Sequence, residues 1–155
     1  MTRISIENLI QLLAMMGIIG SLIFVGLEMR QSQRIAVAGQ QMERTAIMAS
    51  EIQVFIEAGL DYTSIANPLS EIADQLSPSV AAARNHLQHS LYVFENDYFQ
   101  FSQGLMTEDV WQAKLGYLRF LYNQCENREV IEIRKSFFSQ GLAELIDSLP
   151  DNCAD

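Results

Sequence analysis

From Leu9 to Leu27 the chain reads LIQLLAMMGIIGSLIFVGL, 19 residues without a charge, bounded by Glu7 and Glu28. As a helix such a run rises about 28 Å, close to the hydrocarbon thickness of a bilayer. Eleven of these residues are Leu, Ile, Val or Phe. At about −0.3 to −0.6 kcal/mol each they contribute roughly −5 kcal/mol gross to insertion, of which Gln11 and Ser21 remove only part. A helix apolar on every face for five turns does not suit the surface of a soluble domain. The run therefore predicts a transmembrane helix over residues 9–27. A cleaved leader fits less well, because its small-residue site follows closely on a shorter apolar core. Here Ala36-Val37-Ala38 lies past Glu28, Arg30 and Arg34.

Orientation follows from the Lys and Arg near the span. Arg3 lies on one side, and Arg30, Arg34 and Arg44 on the other. This bias predicts a translocated tail over residues 1–8 and a cytoplasmic C-terminal domain. The net charge is −9, and beyond residue 44 six Lys and Arg face sixteen Asp and Glu. So acidic a domain repels phosphate backbones, and no nucleic-acid partner is expected. Contact with anionic lipid is limited to the arginines beside the span. The two cysteines, Cys125 and Cys153, form no CxxC pair and no disulfide framework. A reduced compartment is the simpler reading, with one bridge left open.

Local signals predict helices throughout the remainder. Helix-compatible residues run on from the span to about Ala58, with Gly59 as a stop. The span is thus expected to continue into a helical stalk over residues 28–59, and residues 60–150 to form an antiparallel bundle before a tail over 151–155. Asn67-Pro68 opens a short segment ending near Leu76. Ser77-Pro78 supplies an N-cap and a proline at the first helical position. That helix is expected to reach Gln103 and stop at Gly104, its stripe being Val80, Leu87, Leu91, Phe94, Tyr98 and Phe101. Thr107 is expected to cap a helix burying Val110, Trp111, Leu115, Leu118 and Leu121. Asn127 is placed to cap a segment with Val130, Ile131 and Ile133, and a last helix over 140–149 carries Leu142, Leu145, Ile146 and Leu149. No alternating strand and no internal repeat is legible, so the fold class is all-α.

A seam at steps of three and four runs along the first helix. It passes Ala14, Gly17, Ser21, Phe24, Glu28, Gln31, Ile35, Ala38, Met42, Thr45, Ala49, Ile52 and Ile56. Small residues inside a membrane let helices approach closely, and outside it the stripe packs on its own domain or on another chain. Elsewhere, Glu95 and Tyr98 sit opposite the helix carrying Trp111, Tyr117 and Arg119. These residues are expected to form a polar clasp in which Glu95 meets Tyr117, Tyr122 or Arg119. The sharper reading makes the aromatics Tyr92, Phe94, Tyr98, Phe101 and Trp111 a ligand pocket. His86 and His89 stand three apart, but two ligands do not make a metal site. No catalytic residue, metal site or cofactor site is expected, since GxSxG, P-loop, GxGxxG and HExxH patterns do not occur.

Two stretches carry a resemblance: GSLIFVGLEMRQSQRIAVAGQQ (Gly20 to Gln41) and FENDYFQFSQGLMTEDVWQA (Phe94 to Ala113). Together they resemble a family of small uncharacterised proteobacterial membrane proteins with one N-terminal span. In that family the span ends in a similar SLIFVGLQLRQNQ run, and a later segment pairs an aromatic–Glu–Asn with Tyr, Gln, Gly-Leu and Trp. Phe94 stands here where the family has Trp, and Glu28 where Gln is frequent. The resemblance implies a bacterial inner membrane location and a helical fold, and implies no activity. The expected function is that of a non-enzymatic interaction or accessory subunit. Its partners would be the lipid bilayer and either further copies of itself or a larger membrane complex. The alternative is a tethered module holding a hydrophobic ligand or lipid in its aromatic core.

Overall fold

The computed structural model describes residues 5–66 and 76–153. Six α-helices follow in order among them: α1 (Ile6–Ala58), α2 (Tyr62–Ala66), α3 (Pro78–Ser102), α4 (Glu108–Tyr122), α5 (Arg128–Lys135) and α6 (Gln140–Asp147). A 3₁₀ turn at Cys125–Asn127 precedes α5, and no strand occurs among the described residues. The helix expected from Asn67-Pro68 lies outside the described residues.

Local chemistry sets the helix ends. The Ser77 hydroxyl accepts from Val80 N at the start of α3, with Pro78 in the first turn. Gly59 and Gly104 take a φ of 69°. After α1, Leu60 N donates to Phe55 O at 2.9 Å and Gly59 N to Ile56 O at 3.1 Å. Leu105 and Gly104 repeat the pattern after α3. Each is a Schellman stop, which glycine permits because it lacks a Cβ.

The chain divides into two units, Met1–Val37 and Ala38–Asp155. In the first, every described residue is exposed, including Ile18, Leu22 and Phe24 at 63%, 67% and 66%. Its backbone is satisfied within the helix, and Ser21 Oγ donates to Gly17 O at 2.8 Å. α1 is long and apolar enough here to cross a membrane.

The second unit is a bundle closed around Leu91, Leu118, Val130, Ile131, Leu142 and Ile146, none of which is exposed at all. Trp111 joins them and stacks on Phe101 with ring centres 4.9 Å apart. The C-terminal part of α1 belongs to this unit. Ala38 and Ile52 are buried, while Gln41, Thr45, Met48, Ala49, Phe55 and Ile56 are half-buried. Met42, on the expected seam, is 61% exposed. A strict alternation of three and four drifts by about 20° per seven residues on a straight helix, and the neighbouring Gln41 takes the inward position. Two other expectations shift in the same way. Val80 and Val110 are exposed, and Ala81 and Tyr122 are buried.

Candidate functional site: a buried polar corner beside an open cleft

The turn after α1 carries Asp61 into the interior, and α3 meets it with three polar side chains. Asp61 caps α2: its Oδ2 accepts from Ser64 N at 2.9 Å and from the Ser64 hydroxyl. Arg84 Nε reaches the same oxygen at 3.2 Å, and Arg84 Nη1 reaches Glu129 Oε2 of α5 at 2.8 Å. Asn85 accepts from Tyr62 N and donates to Leu60 O, both at 2.8 Å. Gln88 Nε2 donates to Thr63 Oγ1 at 3.0 Å. Residues 84, 85 and 88 share one face of α3, so a single helix face ties the chain reversal to α5.

Burial works against the Arg84 charge. The hydrogen bond and charge of Glu129, with the charge of Asp61, outweigh it and raise the guanidinium above its ordinary value. A guanidinium so held donates and does not exchange a proton, so Arg84 ties Asp61 to Glu129. Asp61 Oδ1, Arg84 Nη2 and Gln88 Oε1 are buried without a partner among the described residues.

Beside the cluster opens a cleft of about 530 Å³, lined by Tyr62, Thr63, Ala66, Gln88, Tyr92, Ile133, Arg134, Ser136 and Phe137. Burial first, and then the nearby Tyr62 hydroxyl at 3.4 Å, push Tyr92 above its ordinary value. The Tyr92 phenol is therefore a hydrogen-bonding group at neutral pH. Arg134 lies 3.7 Å over the Tyr92 ring. Phe137 is 70% exposed at the rim. The cleft combines apolar walls with a few fixed polar groups.

The structure places the expected site residues as follows. Glu95 is half-buried and its carboxylate pairs with Arg134 of α5 at 2.6 Å. Arg119 is exposed, and its carbonyl accepts from the Asn123 side chain. Tyr117 is 45% exposed and stacks on Phe94 at 5.9 Å. Tyr98 lies against Trp111 at 5.9 Å and over Gly141. Phe94, Phe101 and Trp111 thus pack on neighbouring rings, Tyr92 lines the cleft beside the polar corner, and Glu95 and Tyr98 line a second cleft of about 370 Å³ with Gln41, Phe99, Ser102, Ser139 and Gly141. Of the seam, Ala14, Gly17, Ser21, Phe24, Glu28, Ile35 and Met42 are exposed. Ala38 is buried, and its carbonyl accepts from Gln100 Nε2 at 3.2 Å. His86 is exposed and His89 half-buried, and no group of three or more potential metal ligands forms among the described residues.

Sequence reading passed over Arg84 and Asp61. The available signal was Arg84 itself, three residues before Leu87 on a stripe that is otherwise apolar. A charge at that register needs a buried partner. The partner's identity was not legible, because Asp61 and Glu129 lie 23 and 45 positions away.

The two cysteines are joined. Cys125 and Cys153 form a disulfide with Cα atoms 5.6 Å apart. The bridge that the sequence left open is thus formed, since the tail after α6 returns to the end of α4. No protein-family model, curated protein or solved structure matches the chain.

Proposed function

We propose that the protein is a membrane-anchored, non-enzymatic interaction subunit, with residues 9–27 of α1 in the bilayer and a second copy of this chain as the partner of that segment. One observation carries the reading. An uncharged, wholly exposed apolar run shares a single helix with residues that a closed bundle holds. An apolar surface of that size is stable only in an apolar medium or against another protein. Around Gly17 and Gly20 no atom lies within 4 Å of where a Cβ would stand, so a second helix has room to approach. Ala38 supports retention of the span. A leader-type cut after it would fall inside α1, at a carbonyl that Gln100 engages.

The test is the native mass of the full-length protein, gently extracted from its own membranes, with everything that co-migrates. A small multiple of 17.5 kDa is expected. Gly17→Leu with Ser21→Leu should reduce it to the monomer. A mass unchanged in the double variant overturns pairing through this seam. A stoichiometric second protein makes the chain an accessory subunit of a larger complex. A tightly held lipid with a monomeric chain moves the function to the cleft at Tyr92.

A further inference from the structure

Cys125 follows α4, and Cys153 lies in the tail 28 positions later. Contacts that involve no sulfur bring them together. Arg128 lies 3.4 Å over the Tyr122 ring and forks onto both carboxylate oxygens of Asp151. Asn152 N donates to Asn123 Oδ1 at 2.9 Å. Asp151 is held below the usual carboxylate range, first by the Cys153 backbone N–H and then by Arg128. The tail is therefore seated by polar groups, and the disulfide locks a position already prepared.

A structural disulfide of this kind persists in oxidising compartments, whereas cytosolic thiols are kept reduced. Cytosolic bridges are as a rule transient and redox-active. This pair has no CxxC spacing, and the polar contacts of Arg128, Asp151 and Asn152 seat the tail around it. We propose that the bundle lies on the oxidising, non-cytoplasmic side of the membrane, with residues 1–8 in the cytoplasm. This inference rests on the anchor reading of α1.

The orientation is opposite to the one favoured by Arg30, Arg34 and Arg44 over Arg3. The arginine rule counts charges within about 15–20 residues of the span, so these arginines oppose the proposal, and the disulfide is the observation set against them. The charge of the bundle beyond that distance does not enter, because long domains cross largely regardless of it. The consequence is a class of partner: the acidic bundle meets other extracytoplasmic proteins or segments, not cytosolic ones.

The experiment uses the full-length protein in its own membranes. Cells are quenched in acid, free thiols are blocked with a maleimide of known mass, and the intact mass is read before and after reduction. No label before reduction and two labels after it are expected. In parallel, protease is added to sealed membranes of each orientation, and cleavage of the bundle is expected only where the non-cytoplasmic face is outward. Two labels in the unreduced sample, or cleavage only from the cytoplasmic face, overturns the proposal. Release of the intact chain by alkaline carbonate is a separate reading. It removes the anchor itself, and the orientation falls with it.

Discussion

Residues 5–37 and the described residues from 38 to 153 use the same apolar residue types and treat them in opposite ways. Ile18 and Leu22 are 63% and 67% exposed, whereas Leu118 and Ile131 are wholly buried. Both regions satisfy their backbone as helix, so hydrogen bonding does not distinguish them. The difference is the medium each requires. The bundle makes its own apolar interior from α3 to α6 and the end of α1. Residues 9–27 make none, and an apolar surface of that size calls for an apolar medium or a partner. A substitution should therefore be felt as folding stability in one region and as membrane affinity in the other.

The largest effect is expected from Arg84→Met. It leaves Asp61, with 2% of its side chain exposed, without its cation. Removing one partner of a buried pair costs about 3–5 kcal/mol. Denaturant unfolding of the full-length protein in mild detergent should show the loss, while membrane retention stays as it was. A loss below about 1 kcal/mol would mean that water reaches Asp61 and that the corner is not part of the sealed interior.

Next comes Ile19→Arg, in the anchor. A charge at the centre of a span costs about 2.5–3.5 kcal/mol on the insertion scale, a large share of the gross gain of the run. A greater fraction of the chain should wash from membranes at alkaline pH. The unfolding midpoint of the bundle should not move. A falling midpoint would break the contrast, by showing that the exposed run contributes to folding.

The smallest effect compares two glycines. At Gly141 an added Cβ would stand 2.1 Å from the Tyr98 hydroxyl, and at Gly20 it would meet nothing within 4 Å. Gly141→Ala should cost about 1–3 kcal/mol, as overpacking does, and adding Tyr98→Phe should recover part of it. Gly20→Ala should leave bundle stability unchanged. Equal behaviour at the two sites, read from thermal unfolding, would show that Tyr98 yields without cost.

Much of the fold was legible because its signals are local. Ser77-Pro78, Gly59 and Gly104 each act through neighbours a few residues away and hold their expected places, and the uncharged run is helical throughout. The errors lie where the deciding contact is distant. Val80 was assigned inward by spacing, but the first turns of α3 pack on the polar corner, and Ala81 faces in. Glu95 was expected to meet the next helix. It meets Arg134 instead, 39 positions on, because α5 and not α4 passes that side of α3.

The sequence by itself determined the helices, their ends, and a run that needs an apolar medium. All of these follow from periodicity, capping chemistry and transfer free energy summed along the chain. Only the tertiary structure decided that Arg84 clamps Asp61 to Glu129, that the aromatics stack on each other while a cleft opens beside Tyr92, and that Cys153 returns to Cys125. These are pairings between residues far apart in the chain. Their partners are chosen by how the helices pack, a choice that no local pattern contains.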